Sequence, residues 1–494
     1  MNTSATIPQK ELLAKHITKI ENQDNSIVLR SILKPTRVTL LSALFAVLLA
    51  FAPHALAITN GQAATVVIGE SSFTSFSPSA SQSAVVAPTA LAFDSHGDLW
   101  VADQGANRIL EYKAPLSTHE AASIVLGQSG FTSLGSATSS TGLSAPDGLA
   151  FDSNGNLWVA DAVNNRVLEY TAPFSTGEAA SLVIGQTDFV SSALATTATG
   201  LDQPEAVAFD SSGDLWVADS LNSRVLEYTA PFSTGEAATL VIGEKNFVTS
   251  IDQVSKAGMS TPSGIAFDAA GNLWVVDGIR VLEYTAPFTT HEDAVQVLGQ
   301  NTFTNSSTVA TATGLDLPNS IAFDSNRNLW VSDYGDSRVV QYTFPFSNGE
   351  AATGVLGQSN FTSSGTLPVF SPTASSLNHP WGLAFDASGN LWVSDYAQGR
   401  VLGYGAVSAV ASSSTTSSSA ATSTTTSTTT STTSSVGITS TTSATTTSSS
   451  TSSAASSTSI NQNYLGLVAI DGVIVILLTS VIAIKRKRPT SPLL

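Results

Sequence analysis

The 494-residue sequence contains no cysteine. That excludes disulfide bonds, a thiol nucleophile and any thiolate-held metal, so the fold must be held by its core alone. Basic residues are scarce as well: 20 Lys and Arg stand against 37 Asp and Glu, a formal net charge of −17. Between residues 58 and 410 the balance is 10 basic against 33 acidic, or 10 − 33 = −23. Binding to DNA or RNA needs a basic stripe that displaces counterions from phosphates, so no nucleic-acid partner is expected. Histidines are few, and the four in this region, His96, His119, His291 and His379, fall at unrelated places. Without a nucleophile motif beside them, no catalytic residue and no metal ligand is assigned. Long apolar runs are confined to residues 38–52 and 465–484.

What the chain does have is a repeat. Gly148 to Tyr170, GLAFDSNGNLWVADAVNNRVLEY, recurs in close copies five more times, with its tryptophan at Trp100, Trp158, Trp216, Trp274, Trp330 and Trp392. The separations of 58, 58, 58, 56 and 62 residues lie near the range of propeller blades and solenoid units. Within a unit the apolar period is two, and turns rich in Asp, Asn, Ser and Gly divide it into four short strands. Four-stranded sheets repeated radially make an all-β propeller. Upstream lies an orphan fourth strand, NGQAATVVIGE at 60–70, and the last unit stops after its third strand, Arg400–Tyr404. A ring of six blades, with the segment Ala63 to Gly69 pairing with the last unit, would remove two bare edges at once.

The pattern GLAFDSxGNLWVADxxNNRVLEY resembles the NHL repeat over roughly Ala63 to Tyr404. The resemblance implies a six-bladed propeller. It leaves function open, since such propellers include lyases and lactonases, RNA binders and protein-binding platforms.

The flanks suggest a surface protein. Residues 1–57 read as a basic leader and export signal cut after Ala57, with an uncleaved anchor as the alternative. The propeller takes 58–405. A Ser/Thr-rich stalk, glycosylated or bare, follows over 406–463, because its composition cannot bury a core. Residues 464–484 read as a transmembrane helix, and the basic tail 485–494 as cytoplasmic by the positive-inside rule. Together these predict a single-pass cell-membrane protein with its propeller outside.

Comparing the copies separates scaffold from surface. The pairs Asp103/Arg108, Asp161/Arg166, Asp219/Arg224, Asp277/Arg280, Asp333/Arg338 and Asp395/Arg400 recur unchanged and read as hairpin caps and blade-to-blade ion pairs. The DSNGN segments read as hairpin turns, with Arg327 at a position glycine holds elsewhere. Phe73, Phe131, Phe189, Phe247, Phe303 and Phe361 read as plugs between blades. By contrast, Thr89, Asp147, Glu205, Ser263, Asn319 and Trp381 after the repeat's proline vary, as do Gln104, Ser220, Tyr334 and Tyr396 after its VAD or VSD. These ten are predicted to line a funnel on one face, acidic on one side and aromatic on the other. The expected ligand is an extracellular protein, peptide or glycan with a positive group, or a sugar bridged by a divalent cation at the funnel; no cofactor is assigned. Asn305 and Asn360 begin glycosylation sequons on the same face. Recognition or adhesion is the primary reading, and an ectoenzyme of lyase or lactonase type the alternative.

Overall fold

The computed structural model describes residues 59–365, 371–405, 465–470 and 473–478. The leader and signal expected over 1–57, the stalk over 406–463 and the tail over 485–494 lie outside the described residues.

Six four-stranded antiparallel sheets form the body of the protein. In blade I the strands are Pro88–Phe93, Leu99–Asp103, Arg108–Tyr112 and Ile124–Leu126, in that order. Blades II to V repeat this from first strands Pro146–Phe151, Pro204–Phe209, Pro262–Phe267 and Pro318–Phe323. Blade VI supplies Pro380–Phe385, Leu391–Asp395 and Arg400–Tyr404. Its fourth strand is Val66–Ile68, paired antiparallel as Val66↔Gly403, Val67↔Leu402 and Ile68↔Val401. The six first strands adjoin one another in a closed inner ring, that of blade VI meeting that of blade I.

The core lies between blades. Trp100, Ile109 and Leu126 of blade I pack with Leu149, Leu157 and Tyr170 of blade II in one buried cluster. All five residues of Leu99–Asp103 are buried, because a second strand has hydrogen-bonded neighbours on both edges and another blade on each face. Each repeat tryptophan joins two blades: Trp100 meets Phe151 edge-on at 5.9 Å and Phe174 at 4.7 Å, while its indole N–H donates to Asp94 Oδ2 at 3.4 Å.

The helix expected over 464–484 is not observed. Leu465–Ile470 and Val473–Leu478 form an antiparallel pair, and among the described residues no helix is long and apolar enough to cross a membrane.

Candidate functional site

The funnel residues owe their placement to a bulge. In blade III, Pro204 pairs with Asp219 but Ala206 pairs with Ala218, so Glu205 is an extra residue in the first strand. Every blade shows the same register shift after its proline. A bulge re-aims the inserted side chain, and in blades II to VI it brings the inserted residue onto the central cavity. The next residue is small all the way round: Ala90, Gly148, Ala206, Gly264, Ser320 and Gly382. At three of these even a methyl group is barred. A Cβ on Gly382 would lie 2.2 Å from the Thr89 carbonyl, one on Gly148 2.7 Å from Ala206 Cα, and one on Gly264 2.5 Å from the Asn319 carbonyl. The inner strands therefore approach closely, leaving a central cavity of about 110 Å³ lined by Asp147, Glu205, Ser263, Asn319 and Trp381.

This narrowness corrects the picture of an acidic side facing an aromatic side. The Trp381 side chain of blade VI comes close enough to Asp147 of blade II to favour its charged form. Gln104 Nε2 donates to Asp147 Oδ2 at 3.3 Å, and the Tyr396 hydroxyl donates to Gln104 Oε1 at 3.4 Å. Trp381 packs against Tyr396 at 5.1 Å and Tyr334 at 5.5 Å, and Tyr334 against His379 at 4.4 Å. Carboxylates and aromatics thus form one cluster. Glu205 adjoins it, hydrogen-bonded to Ser220.

Burial pushes Asp147 well above the usual carboxylate range, the charge of Glu205 adds to this, and the nearby Trp381 side chain pulls against both. Burial likewise raises Glu205 to about 7, opposed by its hydrogen bond from Ser220. Tyr396 is raised to about 12 by burial and then by the charge of Asp147. Among the described residues no Lys or Arg forms an ion pair with Asp147 or Glu205. Asp147, buried, and Glu205, half-buried at the cavity, compete for charge and are stabilised by a cation or by holding a proton.

Two expected funnel residues do other work. Thr89 is fully buried, and its hydroxyl lies 3.2 Å from the carbonyls of both Pro146 and Asp147. Ser263 donates to the Pro318 carbonyl at 3.3 Å. Both tie neighbouring first strands together. A further tie was missed in the sequence: Ser332 donates to the Trp381 carbonyl and Ser394 to the Thr89 carbonyl. The signal for it was present, because VSD replaces VAD only in blades V and VI.

The Asp/Arg pairs are structural, but the expectation that they run from blade to blade is corrected. Asp161 and Arg166 stand directly opposite within one hairpin, 2.8 Å apart and fully buried. Asp103 with Arg108 and Asp395 with Arg400 do the same at 2.8 Å. Asp219 with Arg224, Asp277 with Arg280 and Asp333 with Arg338 close to 2.7 Å, again each inside its own hairpin. Arg338 takes a second carboxylate, Asp336 at 3.0 Å, which belongs to the turn of that same hairpin.

The links between blades run to backbone carbonyls instead. A guanidinium has five N–H groups, and one carboxylate cannot use them all. Arg166 donates to the carbonyls of Ser139, Gly142 and Phe189, in the segments before and after its blade. Arg224 reaches Thr197, Gly200 and Phe247 in the same way, and Arg338 reaches Gly314 and Phe361. In blade IV the turn shortens to Gly278 and Ile279 between Asp277 and Arg280. The recurring phenylalanines are half-buried against the core, and their carbonyls receive these arginines.

The DSNGN segments are hairpin turns: Asp152 Oδ1 accepts the backbone N–H groups of Asn154 and Asn156. At the glycine position φ is +84° for Gly155 and +68° for Arg327. Of the two sequons, Asn360 is exposed, whereas Asn305 is half-buried with its amide donating to Gln300.

The NHL repeat matches residues 143–170, 201–228 and 377–404, and the chain carries these repeats in a six-bladed propeller. No curated protein matches it. Among solved structures, a streptogramin B lyase is similar at 15% identity, covering 64% of this chain and 77% of its own, with a TM-score of 0.37. A gluconolactonase from Xanthomonas campestris is 14% identical over 66% of this chain and 87% of its own, TM-score 0.39. A Trichoderma reesei protein of Carbohydrate-Active Enzymes Family AA12 is 16% identical over 70% and 98%, TM-score 0.42. A shared fold does not carry an activity with it.

Proposed function

We propose that the protein is a surface-attached recognition module whose propeller takes, at the mouth of its ring, a small ligand or ligand group bearing a positive charge beside an apolar face. The observation that carries this reading is the central cavity lined by Asp147, Glu205 and Trp381, with Tyr396 packed on Trp381, and with no basic side chain among the described residues paired to either acid. A cationic group would neutralise the buried acids, and the indole and phenol faces would pack against its carbon skeleton. Attachment and exposure are supported by the apolar run at 38–52, the Ser/Thr-rich 406–463, and the apolar 465–484 followed by Lys485, Arg486, Lys487 and Arg488. A second reading is catalysis, since burial raises the Glu205 carboxyl to about 7, where it could exchange protons near neutral pH. The test is a glycan and peptide array, followed by titration with small amines, comparing residues 58–405 with their Trp381→Ala and Asp147→Asn variants. Loss of binding in both variants supports the site, and unchanged binding removes it.

A further inference from the structure

At the rim of the mouth the six copies differ in a way that singles out two adjacent blades. Acids follow the repeat's proline only in blades II and III, as Asp147 and Glu205, where the other blades have Thr89, Ser263, Asn319 and Trp381. The same two blades change at the apex of the turn between the second and third strands. Val163 and Leu221 stand there, where blades I, V and VI have Gly105, Gly335 and Ala397. They change again just after the recurring phenylalanine, with Val190 and Val248 where the other four copies have Thr74, Thr132, Thr304 and Thr362. Three separate positions depart together, one toward acid and two toward bulky apolar side chains.

The turn and the segment leaving each blade meet on the funnel's face. Asn165, in the turn of Val163, donates from Nδ2 to the Ser192 carbonyl at 3.0 Å, and Ser250 Oγ donates to the Leu221 carbonyl at 3.3 Å. The apolar side chains there are bare: Val163 is 57% exposed, Val190 73% and Val248 71%, and Leu194, Leu221 and Ile251 are exposed as well. Six of the nine large apolar side chains exposed among the described residues therefore belong to blades II and III and the segments leaving them. Single exposed apolar residues are ordinary, but their gathering in one place marks a contact surface. Blades I and V have no room for such a side chain, since a Cβ on Gly105 would lie 2.8 Å from Val86 Cγ1 and one on Gly335 2.6 Å from Asp316 Cγ.

We propose, resting on the reading of the mouth as a cation site, that this face docks an extended segment of a partner protein, with a lysine side chain entering the mouth and its apolar neighbours lying on blades II and III. A free amine would fill the cavity of about 110 Å³ and leave the patch bare, so the ligand extends beyond the cavity. Charge selects the partner's chemistry: residues 58–410 carry 33 acids against 10 bases, which repels a second copy of this chain and attracts a basic segment. Lysine fits better than arginine. Gly148, Gly264 and Gly382 draw the inner strands together around a narrow cavity, and an ammonium on a slender stem is more compact than a planar guanidinium. Trp381 and Tyr396, their rings 5.1 Å apart, offer apolar faces to the stem.

The experiment screens the immobilised full chain against a synthetic library of N-acetylated, C-amidated heptapeptides with lysine fixed at the centre and the other places randomised, and against the same library with glutamine at the centre. Titration with n-butylamine reads the mouth alone. The expected result is retention of the lysine library with valine, leucine and isoleucine enriched beside the lysine. Val190→Thr combined with Val248→Thr copies the other blades onto the patch, and should weaken the best peptide at least about tenfold while leaving n-butylamine within about twofold. Asp147→Asn should weaken both ligands. If n-butylamine binds and no lysine peptide is enriched, the peptide proposal falls and the cation site stands; if neither binds, both fall. Equal retention of the glutamine library overturns the proposal, as does a wild-type dimer in sedimentation that the double threonine variant dissociates.

Discussion

Arg400 donates from Nη1 to the carbonyl of Phe73, 2.7 Å away in space and 327 residues upstream in sequence. The same guanidinium pairs with Asp395 at 2.8 Å and donates to the carbonyls of Thr373 and Ser376 at 3.0 Å each. One side chain thus holds the chain's first blade segment to its last hairpin. Replacing it with an isosteric apolar residue, Arg400→Met, strands Asp395 as an unpaired buried acid and frees three carbonyls. The expected cost is about 3–5 kcal/mol in urea unfolding. Amide exchange at Val66–Ile68, the strand next to it, should quicken in the same variant. A loss below about 1 kcal/mol would show that the strand pairing alone holds the ends.

Gly148 tests the tightness of the inner ring. A Cβ there would lie 2.7 Å from both Ala206 Cα and the Glu205 carbonyl, and backbone cannot step aside as a side-chain tip can. Gly148→Ala is expected to destabilise by about 1–3 kcal/mol through overpacking and to widen the mouth. Gly130→Ala, where nothing lies within 4 Å, serves as the control. Equal midpoints for the two variants would refute close inner packing.

Glu205 makes the fold sensitive to pH in a defined direction. Its carboxyl rises from an ordinary value of 4.5 to about 7 in the folded chain. Between those values the folded state binds more protons than the unfolded state, so this group's contribution is fully present below about 4.5 and is lost as pH rises through about 7. Glu205→Gln should therefore flatten the stability profile in that window and be more stable than wild type at about pH 8, by about 1–3 kcal/mol. Parallel profiles for the two proteins would contradict the burial of this acid.

Arg327 holds a left-handed backbone, φ +68°, where five other blades use glycine, and its guanidinium lies 3.9 Å over the Phe344 ring. The stacking, about 0.5–1 kcal/mol, offsets backbone strain of about 1–2 kcal/mol. Arg327→Gly alone should change stability little, while the same change in a Phe344→Ala background should stabilise by about 1 kcal/mol. A double-mutant cycle in urea measures the difference.

Much of this was legible in the sequence. The tryptophan spacing and two-residue alternation determined four strands per unit and six units, because both periods are local and repeated. The invariance of Asp161 and Arg166 across copies marked them as scaffold, and the variation of Asp147, Glu205 and Trp381 set them apart from it, although Asp147 proves buried. Neither observation requires knowing where a side chain points.

Tertiary structure decided what those residues touch. The bulge after each proline adds one residue without altering the apolar pattern, so it leaves no trace in periodicity. Arg224 and Arg338 keep their carboxylates inside one hairpin and spend their other donors on neighbouring segments, a division that recurrence alone does not reveal. Trp381 and Asp147 meet because glycines on alternate blades draw the inner strands together, and that diameter belongs to the whole ring. Likewise Val163 and Leu221 look like ordinary turn residues until the fold sets the segments of Val190 and Val248 beside them, since proximity across a blade depends on topology and not on composition.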